Sequence, residues 1–173
     1  MVNIMVNVSS ISRLPNTPAV YVLFGGKERT CYVVYVGIAD KLRRRIEQHL
    51  ITRDSSVATG TSAAGLNPDF ITELRWWEHP RFSDRNALTA SERVAFDLFQ
   101  PTLRSRGNVP KAAQKLFEQS EFRDEMKKLL NHEPSGRLVI PTLQDALSKI
   151  EQLEKRIVAI EKDLQKVKSE KSK

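Results

Sequence analysis

A chain of 173 residues, 40% of them hydrophobic, is long enough for one compact domain plus an appendage. Its single cysteine, Cys31, excludes an internal disulfide and a cysteine-based zinc cluster. No apolar run approaches the ~18 residues that span a membrane, the N-terminus lacks the leader of a secretion signal, and a net charge of +7 makes polyanions natural partners of an expected cytoplasmic protein.

Ala19–Phe24 (AVYVLF) and Thr30–Val36 (TCYVVYV) are β-branched and aromatic runs on either side of GGKER, which is a hairpin signature. Gly37 ends the second run, and Asp40 is placed to cap a helix from about Lys41 to Leu50. Leu42, Ile46 and Leu50 form its apolar stripe. Arg45 and His49 stand four apart beside that stripe and project together, while Arg43, Arg44 and Glu47 point elsewhere. The Ser-, Thr-, Gly- and Ala-rich stretch 51–69 reads as a long loop, functional or disordered.

FITELRWWEH is a third strand, stopped by Pro80, with Trp76 and Trp77 on opposite faces and both destined for the core. ALTASERVAFDLF is a helix that ends before Pro101, and PKAAQKLFEQSEFRDEMKKLL is an amphipathic helix broken by NHEPSG. The expected organisation is a domain at 1–108, an accessory helix at 109–133, a linker at 134–140 and a last helix at 141–173. In that helix Leu143, Ile150, Ile157 and Leu164 take heptad position a, and Ala146, Leu153, Ile160 and Val167 take d. A parallel pairing sets Lys149 against Glu154, Arg156 against Glu161 and Asp163 against Lys168, all opposite in sign. A homodimeric coiled coil through 141–170 is expected, against the plainer possibility of a helix folded back on the domain.

Basic residues are segregated. Residues 1–108 hold 12 Arg and 2 Lys, and residues 109–173 hold 3 Arg and 11 Lys. Arginine's planar fork suits a bidentate grip on phosphate, so the first part is the one expected to touch an anion.

Tyr21 in Ala19-Val20-Tyr21, Tyr35 and Gly37 in Tyr35-Val36-Gly37, Arg45 ten residues after Tyr35, His49 one turn later, and Glu92 nine residues before Pro101 form an ordered set. That set resembles the GIY-YIG nucleases over roughly residues 14–108. Ala19 stands where the family has glycine, fourteen residues separate the tyrosines, and Ile38 holds a position often polar in relatives. Each residue alone has an ordinary explanation as a core aromatic, a surface arginine or a structural histidine; the set at this spacing does not.

The resemblance implies an α/β (α+β) domain, with a three-stranded antiparallel sheet flanked by helices. It implies metal-dependent hydrolysis of DNA phosphodiester bonds, with RNA as the other candidate substrate. Glu92 would hold Mg²⁺ or Mn²⁺, since such hard cations take few protein ligands and keep several waters. Arg45 would grip the non-bridging oxygens. The general base lies between Tyr21 and Tyr35, helped by His49, with Tyr21 preferred and Tyr35 orienting water or phosphate. A phenol has a pKa near ~10 and needs a neighbouring cation to act near neutrality. Gly37, Arg43, Arg44, Arg75, Arg104, Arg106 and Asn108 are further candidates for nucleic-acid contact, and Arg81 and Arg85 are also available to track a backbone. A restriction-type enzyme that cuts both strands as a dimer fits best. The alternatives are a nucleic-acid-binding or partner-binding module without catalysis, and a coiled-coil adaptor.

Overall fold

The computed structural model describes residues 6–26, 31–52, 68–103 and 108–171, which belong to two compact units, Met1–Ile140 and Pro141–Lys173. In the first, β1 (Val6–Val8), β2 (Ala19–Gly25), β3 (Tyr32–Ala39), β4 (Ile71–Trp77) and β5 (Gly136–Val139) form one sheet in the order β1-β5-β4-β2-β3. β2 runs antiparallel to both β3 and β4, β4 is antiparallel to β5, and β5 is parallel to β1.

The fold is mixed α/β, as expected, but the sheet is five-stranded and mixed rather than three-stranded and antiparallel. The three expected strands are its antiparallel part, β4-β2-β3. The two additional strands have three and four residues, too short to carry a periodic signal. β5 lies in the stretch expected to be a linker. It is seated by Gly136, which pairs with Trp76 and where a Cβ would come within 2.1 Å of the indole ring.

Strict alternation along β2 divides the core between two faces. Val20, Val22 and Phe24 face α2 (Arg85–Phe99), α3 (Lys111–Glu118) and α4 (Ser120–Asn131), whose Leu88, Val94, Phe122 and Met126 complete that layer. Ala19, Tyr21 and Leu23 face the other way, against Leu42 and Ile46 of α1 (Leu42–Leu50). Each such side chain taken fully out of water contributes about 1.5–3 kcal/mol. Trp77 belongs to the first layer and Trp76 to the second, both buried, in agreement with the sequence reading.

The accessory segment is two helices. Gln119 adopts an extended backbone (φ −71°, ψ 120°) between α3 and α4 and breaks the run. α1 begins at Leu42 with no side-chain cap. Asp40, expected to cap it, instead accepts a hydrogen bond from Arg85 Nη1 at 2.8 Å.

The second unit is α5 (Leu143–Lys171), 29 residues long and so roughly 43 Å at 1.5 Å per residue. Thr142 and Asp145 cap it reciprocally: Thr142 N donates to Asp145 Oδ2 at 2.9 Å, and Asp145 N donates to Thr142 Oγ1 at 3.3 Å. Of the seam predicted from the heptads, Leu143, Ala146, Ile150, Leu153, Ile157, Ile160 and Leu164 are exposed, and Val167 lies outside the residues whose side chains are described. No helix among the described residues is long and apolar enough to cross a membrane.

Candidate active site

The hairpin brings the two tyrosines together. Tyr21 pairs across the strands with Gly37, and Tyr35 pairs with Leu23, so both rings stand on the face covered by α1. Gly37 is what makes this possible. A Cβ at that position would lie 2.6 Å from the Tyr21 hydroxyl and 2.7 Å from the Tyr35 ring. Gly37 was a candidate for nucleic-acid contact; it is buried, and its lack of a side chain makes room for the tyrosines.

α1 supplies the third ring. Packing of Leu42 and Ile46 turns His49 inward until it is 1% exposed. The Tyr21 hydroxyl is 2.7 Å from His49 Nε2. The ring centroids form a near-equilateral triangle, with Tyr21–Tyr35 at 6.1 Å, Tyr21–His49 at 5.9 Å and Tyr35–His49 at 5.6 Å. The two tyrosine hydroxyls also interact by a hydrogen bond, so the Tyr21 hydroxyl sits between Tyr35 and His49.

Burial governs the electrostatics. It pushes the Tyr21 phenol well above its usual range, with further upward contributions from Tyr35 and the Glu92 carboxylate and a downward one from Arg45. Tyr35, closer to the surface, is pushed up to about 12 by burial and by Glu92, while Arg45 and the bond to Tyr21 pull it back. Burial and the Arg45 guanidinium lower His49 to about 4, so the imidazole is neutral at physiological pH.

Glu92 and Arg45 therefore both act on the tyrosines, although they come from opposite layers of the sheet. β3 is the edge strand beside α2, which allows a carboxylate on α2 to influence residues of the other face. Tyr21, Tyr35 and His49 thus meet on one face of the β2–β3 hairpin, and the charges of Arg45 on α1 and Glu92 on α2 act on them. Among the described residues no group of three or more His, Cys, Asp or Glu side chains could enclose a metal ion. Glu92 offers one hard carboxylate, a donor that suits Mg²⁺ or Mn²⁺ bound largely through water rather than a cation caged by protein.

Arg45 also lines an open cleft of about 380 Å³, shared with Asp40, Lys41, Arg44, Gln48 and Arg85. Arg44 thus points to the same side as Arg45, not elsewhere as its position suggested. Arg43 does turn away: its Nε donates to the Leu14 carbonyl at 2.9 Å and fixes the preceding loop. Arg75 lies 4.5 Å over the Phe24 ring and pairs with Glu73, which also binds Arg137. Both arginine side chains remain 38% exposed. Asn108 is exposed, and Arg104 and Arg106 lie outside the described residues. Lys41 and Gln48 were not singled out from the sequence. Their signal was available, because positions 41, 44, 45 and 48 follow the i, i+3, i+4, i+7 spacing of one helix face.

Comparisons with protein-family models, curated proteins and solved structures return no match for this chain.

Proposed function

We propose that the chain is a metal-dependent endonuclease that hydrolyses DNA phosphodiester bonds and is built on a GIY-YIG-like domain. The observation that carries this reading is the Tyr21–His49 hydrogen bond with a second tyrosine in contact with both rings, under the charges of an arginine and a glutamate. Phosphodiester hydrolysis needs a route for the proton of an attacking water and positive charge at the phosphoryl oxygens. It also needs help for the leaving oxygen. Each requirement has a candidate here.

Tyr35 is the more readily ionised of the pair, because Tyr21 is the more deeply buried and its phenol is raised further. This reverses the preference drawn from the sequence. Tyr35 would take the water proton as its own passes to Tyr21, and Tyr21 would deliver a proton to neutral His49 Nε2. A phosphate brought near Arg45 would offset the depression that this guanidinium imposes on His49 and make the imidazole a stronger base. Arg45 would hold the non-bridging oxygens and Glu92 would hold Mg²⁺ or Mn²⁺. That cation, when bound, would neutralise charge on the phosphoryl and leaving oxygens.

A second proposal concerns assembly. The exposed a and d seam of α5, with three complementary charge pairs, supports a parallel coiled coil with a second copy of the chain. Two active sites in a dimer would serve the two strands of a duplex. The competing reading, a module that binds DNA without cutting it, draws on the upward shift of both tyrosines. Glu92→Gln and Arg45→Ala separate the two. Each is expected to slow cleavage by about 10²–10³-fold while preserving the fold, and unchanged cleavage in either variant would exclude these roles.

A further inference from the structure

The cleft beside the tyrosine cluster carries four cationic side chains, Lys41, Arg44, Arg45 and Arg85, against one carboxylate, Asp40. Two elements build it. Arg44, Arg45 and Gln48 recur at helical spacing on α1, and Lys41 is the extended residue just before its first turn. Arg85 opens α2, and its Nη1 is held at 2.8 Å by Asp40 Oδ1. Arg85 and Glu92 lie seven residues apart on the same face of α2, so roughly 10 Å separates them along the helix axis. Arg45 belongs to both groups: it lines the cleft and acts on Tyr21, Tyr35 and His49. The cleft therefore shares Arg45 with the tyrosine cluster.

We infer that this cleft binds the phosphodiester backbone of the same DNA strand next to the scissile phosphate, an inference that rests on the proposed nuclease activity. The ligand class follows from the chemistry. Planar guanidinium forks and one ammonium suit phosphate oxygens, and Gln48 adds a neutral amide donor. An open cleft of about 380 Å³ admits a chain passing through rather than a ligand enclosed by it. A strand advances about 3.4 Å along the duplex axis per nucleotide. The roughly 10 Å between Arg85 and Glu92 therefore covers phosphates within about three nucleotides of the cut. Lys41 and Arg44 set which phosphates are held and so position the scissile one against Arg45.

The test is equilibrium binding of the full chain to a short synthetic duplex, in chelator so that nothing is cut, over about 50–200 mM salt. Lys41→Ala and Arg44→Ala are the principal variants, since both side chains are exposed and neither contributes to the core. Each should weaken binding about tenfold near 100 mM salt and reduce the slope of log K against log salt by about one. Gln48→Ala should weaken binding without altering the slope, because it carries no charge. Lys128→Ala, exposed on α4, should change neither quantity. If the wild-type chain binds and the Lys41 and Arg44 variants keep its slope, the cleft assignment is overturned and the nuclease proposal stands. If the wild-type chain binds no duplex even at the lowest salt, both fall together.

Discussion

His49 is held neutral by its surroundings, and this determines how the protein answers to acid. Its pKa is about 4 in the folded chain against 6.5 for an ordinary histidine. Between those values the unfolded chain binds a proton that the folded chain does not, so stability rises with pH across that window and is lost as pH falls through it. Below about 4 both states are protonated and this contribution is flat. The full difference amounts to roughly 3 kcal/mol. His49→Gln, which can still hydrogen-bond Tyr21, should remove the slope. Denaturant unfolding at about pH 5 and pH 7 should give the variant nearly equal stabilities, whereas the wild-type chain should be weaker at pH 5. A variant that kept the wild-type difference would assign it to another group.

The elements show what the sequence could and could not reveal. β2, β3, β4, α1 and α2 were legible because their apolar periods are long and glycine or proline follows β2, β4 and α2; Gly37 and Asp40, expected to end β3 and to cap α1, do neither. With them came the candidate residues, of which Tyr21, Tyr35 and His49 meet on one face of the hairpin. β1 and β5 were not legible, since short strands from opposite ends of the unit are recognised only through each other. The destinations of Arg43, Arg75 and Asp40 were hidden for a related reason: each is fixed by a partner distant in sequence, namely Leu14, Phe24 and Arg85. The packing role of Gly37 was also hidden, because a close approach by Tyr21 leaves no local signal. It gives a sharp expectation for the hairpin. Gly37→Ala should cost about 1–3 kcal/mol through overpacking and should displace both tyrosines. Cleavage should fall further than the loss of stability explains. Near-wild-type cleavage with the alanine in place would show that the rings need not sit where they do.

At the scale of the whole molecule, the question is whether two copies act together. α5 exposes Ile150, Leu153, Ile157, Ile160 and Leu164 in one stripe, an apolar seam of a kind that isolated surface residues do not form. Removal of residues 141–173 should convert a dimer into a monomer. The cut belongs after Ile140, because β5 is part of the sheet and an earlier truncation would unravel it. An unchanged mass in solution would place the contact between copies elsewhere.

The most direct measurement is incubation of the intact chain with long duplex DNA in Mg²⁺, in Mn²⁺ and in chelator, beside Glu92→Gln. The account predicts fragments that appear with metal and disappear with chelator or with the variant. Intact DNA under both metals, or fragments undiminished in Glu92→Gln, would contradict it.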